Sequence, residues 1–300
     1  MAVPLIDLSA EPAPMLARRI DAALREQGFS AISGHGVPRA LVQAAFDAGH
    51  RYFALPEHDK ARWHIDHSLH RRGFDPIGWQ ALDPAQPPDL KESFYIGVEH
   101  IGPNQWPDEA LVPGFRAACT AYTQAMDALA VRLMCLFETA LQLPALSLDA
   151  FMRRPICTTR LLHYPPQPAQ AAPGQIGCGA HTDWGALTLL AQDAAGGLQV
   201  QQRDGSWLDV PFLPEAFIVN VGDLMQRWTN DRWLSTPHRV INRHTGRARW
   251  SIAYFFDLDG DAPIVPLPSC VNAERPARYG PITAAEHLEA MYRKTTVASA

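Results

Sequence analysis

The sequence predicts an α+β protein whose mainly β core is a sandwich or closed jelly roll with helices packed against it. Three observations predict this. Before residue 145 apolar residues recur at helical spacing; after residue 155 short β-rich runs take over; and Pro, Gly, Asn and Asp separate those runs at turn-like intervals. A chain of 300 residues can bury one such core, and 1–300 reads as a single domain. Within it, 1–110 is a helical and mixed N-terminal region, 111–145 holds a long scaffold helix, 155–260 is the β core, and 280–294 ends in a helix.

The elements follow in order. Leu16, Ile20, Ala23 and Leu24 give residues 13–27 one apolar helical face, closed by Gly28. "GFSAI" is a short strand, "SGHGVP" a turn, and Pro38 suits the first position of a helix over 38–54. Residues 62–90 are polar and punctuated by Pro and Gly, so they read mostly as loop, whereas "KESFYIGV" (91–98) has strand chemistry. The scaffold helix occupies 114–142: Phe115, Tyr122, Met126, Leu129, Leu133, Leu136, Phe137 and Leu141 share one stripe, the signature of a core-facing helix. Strands are expected at 156–164, 186–191, 198–202, 206–210, 217–221, 238–242 and 249–257, with a hairpin turning at Asp204-Gly205. Thr283 and Glu286 form a capping box at the start of a last helix, 283–294, and 295–300 reads as a loose tail.

Composition excludes several classes. A net charge of −5, with no basic cluster beyond short pairs such as Arg71-Arg72 and Arg153-Arg154, offers no field for nucleic acid. No apolar run is long enough for a membrane span, and the N-terminus lacks the basic and apolar regions of a signal peptide. Five cysteines, odd in number and without a Cys-x-x-Cys pair, fit reduced thiols and a cytoplasmic protein. Nothing fixes the oligomeric state, and a monomer is compatible with the sequence.

Two His-x-Asp tripeptides occur, about what random placement gives, so context decides between them. His64-Ile65-Asp66 lies among His67, His70 and arginines in a segment without strand alternation, and reads as a solvated loop. His181-Thr182-Asp183 heads the apolar run "GALTLL"; on a strand, residues two apart share a face, so one imidazole and one carboxylate aim at a common point. His238, in "STPHRVINR" at a strand entry, is the best third ligand. Two His and one carboxylate leave three metal positions open, the arrangement of non-haem Fe(II) oxygenases. Arg249 and Ser251, again two apart, suit a carboxylate, and Tyr164 can add a hydroxyl; the same residues also fit a structural ion pair and core packing. Asp223 reads as a turn residue and His35 as structural.

With these residues in view, the chain resembles the 2-oxoglutarate and Fe(II)-dependent oxygenases of the isopenicillin N synthase-like group along nearly its whole length. "GFSAISGHGVP", "KESFYIG", "HTDWGALTLL", "NVGDLMQRWTNDRWLSTPHRV" and Arg249-x-Ser251 follow the family's order of motifs. The resemblance implies a double-stranded β-helix flanked by helices. It also implies Fe(II) held by His181, Asp183 and His238, with O2 and the cosubstrate 2-oxoglutarate, whose distal carboxylate Arg249 and Ser251 would hold. Decarboxylation to succinate and CO2 would drive hydroxylation, desaturation or ring formation on a small molecule. Leu162 stands where flavonoid-type plant members often carry Asn, and Arg160 where some carry Lys, which argues against a flavonoid-like substrate. The substrate cavity is expected among 91–98, the N-terminal helices and residues near 244, with Phe94 as one wall. Two alternatives stand beside this reading: a relative that uses Fe(II) and O2 without 2-oxoglutarate, and a non-catalytic jelly-roll protein that binds a metal or ligand.

Overall fold

The computed structural model describes residues 2–79, 87–168, 172, 174–242 and 246–295. In chain order the elements are β1 (Leu5–Asp7), α1 (Ala13–Glu26), β2 (Phe29–Ser33), α2 (Arg39–Phe53), α3 (Glu57–Lys60), β3 (Gly73–Asp75), β4 (Glu92–Gly97), α4 (Phe115–Ala140), β5 (Pro155–Tyr164) and β6 (Cys178–His181). They continue with β7 (Leu187–Gln192), β8 (Leu198–Gln201), β9 (Trp207–Asp209), β10 (Phe217–Val221), α5 (Asp223–Trp228), β11 (His238–Val240), β12 (Arg249–Asp259), β13 (Pro263–Ile264), β14 (Ile282–Thr283) and α6 (Ala284–Thr295).

Eight strands form one sheet in the order β1-β2-β10-β7-β12-β5-β4-β3, and four form a second in the order β6-β11-β8-β9. The two sheets close a jelly roll, the double-stranded β-helix expected above. Alternation then sorts side chains by face. Phe29, Ala31, Leu162, Tyr164, Ile218 and Ala253 of the large sheet meet Cys178, Leu198, Val200 and Val240 of the small one in the barrel interior. The opposite face of the large sheet, with Leu161, Leu187, Leu189, Val219, Ile252 and Tyr254, packs against α1, α2 and α4. Both faces of the central strands are therefore covered.

The scaffold helix appears as α4, and all eight residues of its stripe are buried. Each such side chain contributes about 1.5–3 kcal/mol by leaving water, which makes α4 the backing that holds the large sheet in place. The capping box also forms: Thr283 Oγ1 accepts from Glu286 N at 3.2 Å, and Glu286 Oε2 accepts from Thr283 N at 2.8 Å. Differences fall in short elements. The segment 62–90, expected mostly as loop, contains β3, a three-residue strand paired with β4 and too short to show a period. Asp223 opens the short helix α5 instead of standing in a turn. Helix α2 begins at Arg39 with Pro38 as its cap. The last helix runs to Thr295, and residues 296–300 of the expected tail lie outside the described residues. No helix of the described residues is long and apolar enough to cross a membrane.

Candidate metal centre

β11 pairs antiparallel with both β6 and β8, and its register sets His238 directly across from His181. The imidazoles lie side by side, 4.3 Å between ring centres, although the residues are far apart in sequence. β6 ends at His181, so Asp183 is positioned by the turn that follows, not by the strand alternation expected from the sequence. Its Oδ1 lies 4.0 Å from His181 Nε2 and 3.7 Å from His238 Nε2. These three side chains are the only group of three or more His, Cys, Asp or Glu among the described residues whose donor atoms lie within 4.8 Å of one another. His64, of the rival tripeptide, instead accepts a hydrogen bond from Asp66 N at 3.2 Å.

The donor chemistry fits a ferrous ion. His181 Nδ1 faces Gly179 O at 2.8 Å and His238 Nδ1 faces Thr236 O at 3.2 Å. With each Nδ1–H donated to a carbonyl, the Nε2 lone pairs turn toward Asp183. Burial lowers the pKa of His181, and burial together with the neighbouring His181 brings His238 down to about 4, so both rings are neutral donors at neutral pH. Burial works against charge on Asp183, but His238, His181, Asn220 and Thr188 together hold its pKa below the ordinary value. Its Oδ2 accepts from Thr188 Oγ1 at 2.7 Å and Asn220 Nδ2 at 2.6 Å, leaving Oδ1 for a metal.

Arg249 opens β12 on the inward face, opposite Tyr164, and Ser251 follows opposite Leu162. The arginine is 1% exposed. Its Nε donates to Gly196 O at 2.6 Å, its Nη1 to Ser251 Oγ at 3.0 Å, and its guanidinium lies 4.6 Å above the Tyr164 ring. Its Nη2 is buried without a hydrogen-bond partner among the described residues. Such an orphaned charged donor is costly unless a ligand meets it, and a carboxylate would.

Phe94 is not a cavity wall. It pairs with Leu161 on the face turned toward the helices, where it is 0% exposed and packs edge-on against Tyr52 and Phe115 at 4.7 and 5.2 Å. The inward positions of β4 are Ser93 and Tyr95, which pair with Leu162 and Arg160. Residues 243–245, near the other expected lining, lie outside the described residues. Four supporting residues escaped the sequence reading. Thr188 and Asn220 are cross-strand partners on β7 and β10, and a lone polar residue within each of "LTLL" and "FIVNV" was the available signal. Asp89, bonded to the buried Lys91, accepts from Gly179 N at 2.8 Å and so steadies β6. Asp257 accepts from Ala186 N at 3.0 Å beside the Asp183 turn. A Cβ at Gly185 would stand 1.7 Å from Asp257 Oδ1, so only glycine fits there. Burial pushes the Asp257 carboxyl up to about 7 against the pull of Ala186 N–H, with Asp183 adding to the rise.

Two imidazoles and one carboxylate converging at the wall of a jelly roll match the donor set of a mononuclear non-haem Fe(II) oxygenase. Known proteins agree. The 2OG-Fe(II) oxygenase superfamily model matches residues 155–258, and that of the N-terminal region of non-haem dioxygenases in morphine synthesis matches residues 3–109. A 2-oxoglutarate-Fe(II) type oxidoreductase of Emericella nidulans, hxnY, is 37% identical, over 93% of this chain and 84% of its own. The 2-oxoglutarate-dependent dioxygenase citB of Monascus ruber is 38% identical, over 88% of this chain and 87% of its own. The crystal structure of a full-length Neurospora crassa protein in complex with α-ketoglutarate superposes with a TM-score of 0.90 at 30% identity, covering 98% of this chain and 96% of that one. The chain belongs to the 2-oxoglutarate and Fe(II)-dependent oxygenases, in their isopenicillin N synthase-like group. It is an oxidoreductase that uses Fe(II), 2-oxoglutarate and O2 and releases succinate and CO2.

Proposed function

We propose that His181, Asp183 and His238 hold the iron, that Arg249, Ser251 and Tyr164 hold the far carboxylate of 2-oxoglutarate, and that the substrate is a small organic molecule. The observation that carries the assignment is the pairing of a three-donor cluster with one buried guanidinium nitrogen left unpartnered. When bound, the iron and the keto acid supply oxidising chemistry, reducing O2 as the keto acid loses CO2 and becomes succinate. The chain's residues do the rest. Thr188 and Asn220 restrain one oxygen of Asp183, so the carboxylate would offer only the other to the iron. Arg249 gives charge and direction to the cosubstrate, with Ser251 and the Tyr164 ring fixing the guanidinium in place. The apolar interior around Leu162, Val200, Val240 and Ala253 keeps bulk water from the reacting groups. The Neurospora crassa protein has also been crystallised with thymine beside α-ketoglutarate, which supports a small-molecule substrate for this chain as well. The outcome at the substrate carbon is hydroxylation, desaturation or ring closure.

Anaerobic addition of Fe(II) and then 2-oxoglutarate tests the assignment. A weak visible charge-transfer band is expected, followed by slow succinate release when air enters. Asp183→Ala is expected to abolish iron retention while the protein stays folded. Folded Asp183→Ala protein that retains iron as the parent does would overturn the ligand assignment.

A further inference from the structure

Beyond Arg249, a second buried guanidinium carries a nitrogen without a partner among the described residues. Arg72 is only 6% exposed, its Nε has no hydrogen-bond partner, and no carboxylate pairs with it among the described residues. The contrast with other buried arginines is informative. Arg160 bonds Asp75 Oδ2 and Ser93 Oγ, each at 3.0 Å, and Arg232 bonds Asp21 Oδ1 and Ala140 O.

The place of Arg72 is built by the fold. Its own carbonyl accepts from Gln105 Nε2 at 2.6 Å, and the same amide reaches His64 O at 3.0 Å, which ties this segment down. The guanidinium lies over Gly97, where a Cβ would stand 1.8 Å from Arg72 Cζ, so a larger residue there would push the guanidinium from this place. On β4 a Cβ at Gly97 points the way Ser93 and Tyr95 point, toward the barrel interior. Tyr292 of α6 links this spot to the metal turn. Its ring packs on Trp184, the residue after Asp183, at 4.8 Å, and Arg71 lies 4.6 Å above it. Tyr292 feels the charges of Asp257, Arg71, Arg72 and Arg160 together. Around it stand three guanidiniums, while Asp75 gives its Oδ2 to Arg160, leaving Oδ1 without a partner among the described residues, and Asp257 is turned to the Ala186 N–H. Positive charge is in excess here, and burial further disfavours an Arg72 left alone.

We propose that Arg72 holds a carboxylate of the organic substrate, so that the molecule oxidised is a small organic acid. The proposal rests on the oxygenase site described above and names the class of substrate it accepts. A carboxylate is the matching group because the guanidinium edge offers two parallel N–H donors to two coplanar oxygens. The interior then carries two anion sites: Arg249 for the cosubstrate and Arg72, beside the Trp184–Tyr292 contact, for the substrate.

The test is equilibrium binding by calorimetry, without O2, to protein loaded with Fe(II) and saturating 2-oxoglutarate, so that Arg249 is already occupied. The probes are aromatic, heteroaromatic and aliphatic monocarboxylates, each beside its own primary amide. At least one acid is expected to bind about 10- to 100-fold tighter than its amide, the usual range for a hydrogen bond to a charged group. Arg72→Gln is expected to erase that preference and Arg72→Lys to keep part of it, with 2-oxoglutarate binding measured first in each variant. No acid exceeding its amide, or an acid preference that survives in Arg72→Gln, overturns the proposal. Failure of the wild-type protein to bind 2-oxoglutarate would instead strike the site assignment beneath it.

Discussion

Asn220 provides the sharpest test of how the metal site is held. It is buried on β10, paired across the sheet with Thr188, and both donate to the same oxygen of Asp183 at 2.6 and 2.7 Å. Asn220→Ala removes one of two restraints on the carboxylate proposed above to present its other oxygen to iron. A hydrogen bond to a charged group is worth about 1.5–3 kcal/mol, and loss of an outer partner of a metal ligand typically costs about 10- to 100-fold in metal affinity. Because Thr188 still holds Asp183 Oδ2, the lower part of that range is expected, roughly tenfold. Asn220→Asp is expected to cost more, since it replaces a donor with a like charge beside Asp183. The assay is anaerobic titration of Fe(II) against a competing chelator, with circular dichroism and the melting temperature confirming the fold. Iron affinity within about twofold of the parent in folded Asn220→Ala protein would refute the reasoning, since the bond would then have no part in aiming the ligand.

Three further outcomes follow. Arg249→Gln is expected to leave iron bound but weaken 2-oxoglutarate by about 10- to 100-fold, measured as the apparent affinity in the charge-transfer titration, and an unchanged value overturns the clamp. Phe94→Ala is expected to cost about 3–5 kcal/mol in urea unfolding, because it empties the space between Tyr52 and Phe115, while relative turnover of different substrates stays as in the parent. A shift in substrate preference without loss of stability would return Phe94 to the cavity. Asp21 is a strut between α1 and the approach to His238: it accepts from Arg232 Nε at 3.1 Å and Trp233 Nε1 at 2.8 Å. Burial opposes its charge, but Arg232, Trp233 and Arg25 prevail and hold its pKa below the ordinary 3.8. A depressed folded pKa means the unfolded chain takes up the proton first as pH falls. Its contribution is therefore complete above 3.8 and disappears as pH drops through the lower folded value. Asp21→Asn is expected to destabilise the protein at about pH 6 and to flatten that part of the acid limb, read from urea melts across pH; an unchanged limb refutes the assignment.

The candidate donor set was legible in the sequence because five motifs occur in a fixed order along the chain, although His-x-Asp alone is no rarer than chance. The structure brings His181, Asp183 and His238 together as the sequence expects, and it buries the expected face of α4. The grounds for Asp183 were nevertheless wrong: the strand stops at His181, and the carboxylate arrives through a turn held by Thr188 and Asn220. Alternation locates a ligand only while the strand lasts. Phe94 failed for a different reason. β4 is covered on both sides, by helices on one and by the barrel interior on the other, so Glu92, Phe94 and Ile96 bear no more visible mark of their face than Ser93 and Tyr95. Apolar character cannot choose between two buried faces. Charge can, because a buried charge must be met by something. Lys60 meets Glu92 at 2.5 Å on the helix side, and Arg160 meets Asp75 on the inward side. Arg72 Nε and the outer nitrogen of Arg249 meet no acceptor among the described residues. In a barrel whose apolar residues cannot be told apart by face, these two nitrogens are among the few buried polar atoms left without a partner, and the acids proposed above would supply one to each.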